Sequence, residues 1–151
     1  LEGRELGLGQ FCTAANGFSV GAKGQSYAGV CADHDEAAFL VEYRAGVHLH
    51  GLRDRAARAS RALYNAEQDL EDIRHDIAHL EAVLVAADTP VDARIEYLAQ
   101  LKHLSEDRGR IEQSLVDLAI AVERTQTELD AFQWHLAVAA QPDAPFETAS
   151  R

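Results

Sequence analysis

Between Ala45 and Leu84, apolar residues recur in alternating steps of four and three: Ala45, Leu49, Leu52, Ala56, Ala59, Leu63, Ala66, Leu70, Ile73, Ile77, Leu80 and Leu84. A sustained 3.5-residue period keeps one seam of a helix facing a partner helix, so the run reads as a left-handed coiled coil. At ~1.5 Å per residue it is about 60 Å long. No proline occurs between Asp33 and Asp88, and no glycine between Gly51 and Gly109.

Asp88-Thr89-Pro90 reads as a stop and restart. Thr89 is expected to cap a second helix, Pro90 to take its first position and Asp92 to favour the positive end of its dipole. That helix repeats the four-three pattern from Tyr97 through Leu101, Leu104, Arg108, Ile111, Leu115, Leu118, Val122, Thr125, Leu129, Phe132 and Leu136 to Ala139. Val91, Ile95 and Leu98 fall out of phase, which predicts a stutter beside the turn. One antiparallel register pairs Ile77 with Leu101, Ile73 with Leu104, Leu63 with Leu115, Ala59 with Leu118 and Leu49 with Leu129. Arg108 is expected in the seam, with its guanidinium reaching out to an acid.

The expected fold is therefore all-α. A long antiparallel two-helix coiled-coil hairpin spans residues 36–139, with helices at about 36–87 and 90–139. Asp33-His34-Asp35-Glu36 has the form of a capping box at its start. A small glycine-rich subdomain covers 1–35 and a flexible tail 140–151. Nine of ten glycines precede residue 52 and seven precede residue 32. Each interior glycine disfavours a helix by up to about 1 kcal/mol relative to Ala, so short helical turns broken by glycine are expected there. A piece this small cannot bury enough apolar surface alone and needs another surface to sit on.

The register brings Phe39, Tyr43, Phe132 and Trp134 to the base of the hairpin, with Trp134 on the outer face of its helix. Either Phe11, Phe18 and Tyr27 cover Trp134 and Tyr43 within the chain, or Trp134 stays exposed for a partner protein. The first arrangement is the expected one, because the glycine-rich segment must bury its aromatic residues somewhere.

The formal charge of −11 opposes binding to phosphate backbones and to anionic membranes. No stretch is long and apolar enough to span a bilayer. The chain starts at Leu1 rather than Met and is expected to be a processed or trimmed product. No nucleophile elbow, phosphate-binding loop or dinucleotide fingerprint is present. The glycines around Ser19 do not make an elbow, and Cys12 and Cys31 lack redox spacing. No catalytic residue, enzyme activity or cofactor is expected. His75 and His79, four apart beside Asp72 and Asp76, have the spacing of two ligands on one metal. They sit at outer heptad positions with no third ligand in view, and solvated histidines are the expectation. Cys12 and Cys31 read either as a disulfide in an oxidising compartment or as two free thiols in a reducing one.

Residues 3–46 resemble the uncharacterised domain-of-unknown-function family 2799 of proteobacterial cell-envelope proteins. The resemblance rests on Gly3-Arg4-Glu5-Leu6-Gly7-Leu8, Phe11-Cys12-Thr13, Asn16-Gly17-Phe18, Gly21, Gly24, Tyr27, Gly29-Val30-Cys31, Phe39-Leu40 and Tyr43-Arg44-Ala45-Gly46. The cysteine spacing is its specific part. Phe11 stands where the family usually has Tyr, and Ala32 where it usually has Pro. The resemblance implies a structural Cys12–Cys31 disulfide and a periplasmic, outer-membrane-associated location. Any membrane attachment would run through a lipid anchor that this chain does not contain. The expected function is that of a non-enzymatic accessory or scaffold subunit, binding envelope proteins through its coiled coil. The alternatives are a metal- or small-ligand-binding module and a self-assembling structural protein.

Overall fold

The fold is seen in a computed structural model that describes residues 2–141. Among these, every regular element is an α-helix: α1 (Glu2–Phe11), α2 (Ala14–Ala22), α3 (Glu36–Val85) and α4 (Val91–Ala139). The tail expected over 140–151 lies, from residue 142 on, outside the described residues. The described residues fall into two compact units, one formed by residues 2–56 with 125–141 and the other by Ala57–Arg124.

The second unit holds parts of α3 and α4 alone, packed side by side in opposite directions. Its seam follows the four-three pattern: Leu70, Ile77 and Leu80 are buried, and Ala59, Leu63, Ala66, Ile73 and Leu84 are half-buried. From α4, Tyr97, Leu101, Leu104, Arg108, Ile111, Leu115 and Leu118 are half-buried, while the out-of-phase Val91, Ile95 and Leu98 are exposed. Leu80 and Leu104 line one groove, and Ile73 and Ile111 another. These neighbours lie up to one heptad along from the facing pairs that the flat projection gives. Side chains lean toward their own helix's N-terminus by about one position on each helix, which supplies about two residues of this offset; for the rest the expected register is corrected, Ile73 lying beside Ile111 rather than Leu104. Arg108 reaches out of the seam to Glu112 at 3.9 Å, and Arg74 meets Glu112 from the other helix at 3.5 Å.

The turn between the helices differs from expectation in its details. The hydroxyl of Thr89 donates to the carbonyl of Val83 at 2.6 Å, serving the end of α3 rather than the start of α4. Pro90 lies just before α4, where its carbonyl accepts the amide of Arg94. The Arg94 guanidinium folds back and donates to the carbonyls of Ala86 and Thr89 at 3.0 and 3.1 Å. A cation on carbonyls at a helix C-terminus is favourable both as hydrogen bonding and against the helix dipole.

In the first unit α3 and α4 continue the seam through Leu49, Leu52 and Leu129, all buried. Here α1 and α2 pack against α3. The glycines of α2 do not break it: the helix runs unbroken through Gly17 and Gly21. Thr13 caps its start, accepting the amide of Asn16 at 3.2 Å. It ends at Gly24, whose φ of +70° permits the closing bond from the amide of Gln25 to the carbonyl of Val20. The cap of α3 is Asp35 rather than Asp33: its carboxylate accepts the amide of Ala38 at 3.4 Å.

The two helical faces predict opposite responses to one charge. Leu70→Asp puts an unpaired carboxylate at a position 6% exposed and should lower stability by about 3 kcal/mol or more. Tyr64→Asp, at a position 60% exposed, should stay within about 0.5 kcal/mol. Thermal melts followed by circular dichroism check both.

Candidate functional site

Two features outside the hairpin seam bear on function: the tightly built first unit, and the apolar side chains that packing leaves in solvent. Cys12 and Cys31 form a disulfide with both residues buried. Val20 and the fully buried Phe39 complete its cluster, with Leu8, Tyr27 and Tyr43 packed around them. The ring of Phe39 is met by Phe11 at 5.6 Å, Tyr27 at 4.8 Å and Tyr43 at 6.2 Å. Tyr27 ties the cluster together through its hydroxyl, which donates to Glu36 at 2.8 Å and accepts the amide of Cys31 at 2.8 Å. Burial pushes the pKa of this phenol above its ordinary value, and the neighbouring Glu36 carboxylate adds to the shift. Tyr43 donates to the carbonyl of Gln25 at 3.0 Å, fixing the segment that follows α2.

Glycine is what brings α2 onto α3. A Cβ at Gly17 would lie 2.3 Å from the carbonyl oxygen of Phe39, and one at Gly21 would lie 2.2 Å from that of Tyr43. The approach is mutual, for a Cβ at Gly46 would lie 2.2 Å from the carbonyl oxygen of Phe18. Gly17 therefore faces the backbone of Phe39, Gly21 faces Gly46 one turn further on, and the two backbones touch. Small residues four apart are the general device for close helix crossing. That spacing was present in Gly17-Phe18-Ser19-Val20-Gly21 as a packing signal, although reading it only as a possible elbow hides it.

Expectation gathered Phe39, Tyr43, Phe132 and Trp134 in one place, and the structure separates them. Phe39 and Tyr43 belong to the disulfide cluster. Phe132 packs with Phe18, Ala22 and Leu136 on a second cluster of Leu49, Leu52, Ala56 and Leu129, and meets the ring of His48 edge-on at 4.6 Å. Trp134 is 62% exposed, with an edge contact to the ring of its neighbour His135. The expected covering of Trp134 by Phe11, Phe18 and Tyr27 is thus corrected. Tyr27 does meet Tyr43, at 6.0 Å, as expected; in place of Trp134 these aromatic residues find Phe39 and Phe132, because the glycine contacts seat α2 on α3.

His75 and His79 both lie beside Asp76. His75 lies 3.9 Å from Asp76, whereas His79 shares a groove with Asp76, Leu80, Gln100, Leu104 and His103 of the opposite helix. Among the described residues no three His, Cys, Asp or Glu side chains come together as a metal site. No helix among them is long and apolar enough to cross a membrane.

Residues 1–48 match the family described as "Protein of unknown function (DUF2799)". No curated protein and no solved structure matches the chain. The matched stretch contains the disulfide, Phe39, Tyr43 and all three contact glycines.

Gly46→Ala should destabilise the protein by about 1–3 kcal/mol or more, since backbone faces the added methyl. Gly51→Ala, with open space at its Cβ, should stabilise α3 by about 0.5–1 kcal/mol. Denaturant melts of the two variants give the comparison. The disulfide closes a loop with a sequence separation of 19, and its removal as Cys12→Ser/Cys31→Ser should cost about 3 kcal/mol on the loop-entropy account. A thiol titration of the native protein should find no reactive sulfhydryl.

Proposed function

We propose that this chain is a non-enzymatic accessory or scaffold subunit that binds other proteins through its coiled-coil hairpin, in the oxidising space of a cell envelope. The observation that carries the reading is the surplus of apolar surface on helices that already have a partner. Val85, Val91, Ile95 and Leu98 stand exposed near the turn, and Trp134 and Val138 stand exposed near the end of α4. Scattered single exposed apolar residues are ordinary, but runs one turn apart on one helix face suit a protein partner. The disulfide supports the compartment, because structural disulfides persist where thiols are not kept reduced. A rigid two-helix segment suits the role of spacer or docking rod.

The test uses photo-crosslinking amino acids at Ile95 and Trp134 of the tagged protein in cells, with envelope fractions analysed by mass spectrometry. One dominant protein cross-linked at either position, and absent when the probe replaces exposed Tyr64, is the expected outcome. Equal, diffuse labelling from all three positions would overturn the reading.

A further inference from the structure

We propose that the exposed face of α4 between Val91 and Ile120 pairs with the same face of a second copy of this chain, antiparallel, about a two-fold axis level with residue 107. The proposal rests on the reading of the hairpin as an interaction surface and names one partner for it.

Five large apolar residues of this stretch, Val91, Ile95, Leu98, Val116 and Ile120, are between 49% and 72% exposed. They are not scattered around the helix. At 100° per residue, Leu98 and Val116, 18 positions apart, share one line after five turns, and Val91, Ile120 and Ile95 fall within about 60° of it, all to one side. These residues lie off the 3.5-residue seam and so mark a second face of the helix. Between its two apolar ends the stripe carries Lys102 and Gly109.

A stripe apolar at both ends and polar in the middle is self-complementary when inverted. Antiparallel pairing centred at residue 107 sets Leu98 against Val116 of the second copy and brings Ile95 within one position of Ile120. It sets Lys102 against Glu112, so that opposite charges meet twice by symmetry. Both are open to such an exchange: Lys102 holds Glu106 at 3.8 Å and Glu112 holds arginines at 3.5–3.9 Å, all at the surface. At the centre Ser105 meets Gly109. The Ser105 hydroxyl donates to the carbonyl of Leu101 at 2.7 Å, and the space above Gly109 is empty, so nothing there holds the helices apart. A parallel pairing would instead stack Lys102 on Lys102 and Glu112 on Glu112. The exposed apolar surface of the two copies together is on the order of 1,000 Å², the lower bound of a specific interface, so the dimer is a reversible one in the micromolar range.

Sedimentation of the full chain from low to high micromolar concentration should show a monomer giving way to a dimer. A monomer throughout overturns the proposal. Leu98→Glu/Val116→Glu should stay monomeric with unchanged helicity, because both positions face solvent; a dimer of unchanged affinity overturns the proposal by placing the contact elsewhere. The register has its own test. Lys102→Glu should weaken the dimer at least several-fold, and Lys102→Glu/Glu112→Lys should restore it; lack of restoration overturns the antiparallel pairing. A monomer that nevertheless cross-links to another protein in cells through Ile95 would overturn this inference and leave the proposed function standing.

Discussion

A helix in a two-stranded coil can hide only one stripe of its surface, and the organisation of this chain follows from that limit. The stripe between α3 and α4 accounts for Leu70, Ile77 and Leu80 in one unit and for Leu49, Leu52 and Leu129 in the other. A two-helix layer offers no deep interior beyond it, and no buried polar side chain atom among the described residues is left without a partner. Whatever apolar surface lies off the seam must be covered by additional chain or remain in solvent. Both outcomes occur. Around Phe39 and Phe18 the cover is α1, α2 and the segment closed by the disulfide; on α4, Val91, Ile95, Leu98 and Trp134 have none.

The cover works only because it comes very close. A nine-residue helix buries little area, and its two interior glycines weaken it further. The same glycines let its backbone rest on that of α3, so dispersion contacts are gained along the main chain where side chains would otherwise intervene. The weakness of α2 as an isolated helix and the closeness of its packing thus have a single cause. The disulfide and the Tyr27 hydroxyl then reduce the freedom of the connecting segment, which has no regular structure of its own to hold it.

Much of this was legible in the sequence, and the failures have physical reasons. The seam could be read residue by residue because burial against one partner imposes one period, and that signal repeats over many turns. The phase break at Val91, Ile95 and Leu98 was visible for the same reason. The continuity of α2 was not, since intrinsic propensity describes a helix in water while the contact with Phe39 and Tyr43 decides this one. The covering of Trp134 by Phe11, Phe18 and Tyr27 follows from the argument that those aromatic residues need a surface, yet that argument does not say which surface. The choice is made by Gly17, Gly21 and Gly46, whose close contact fixes where Phe18 can reach. At the turn, Thr89 and Arg94 show the limit of reading caps locally: Thr89 binds a carbonyl in the last turn of α3, and Arg94 binds the carbonyls of Ala86, just past that end, and of Thr89 in the turn itself.

The extent of the family match acquires a structural sense from these contacts. Residues 1–48 end inside α3, well short of any helix boundary. A self-contained lobe would end in the loop before Glu36. The matched stretch instead carries its own platform, because α2 rests on Phe39, Tyr43 and Gly46 and is meaningless without them. Beyond residue 48 the demands on sequence change from particular residues to a pattern. Any helix pair with the right period can follow, provided that Leu129, Phe132 and Leu136 return to receive Phe18 and Ala22. The first 48 residues thus form a unit of packing chemistry rather than of chain geometry, while the hairpin after them is held by a repeating seam whose demand is a period and not particular residues.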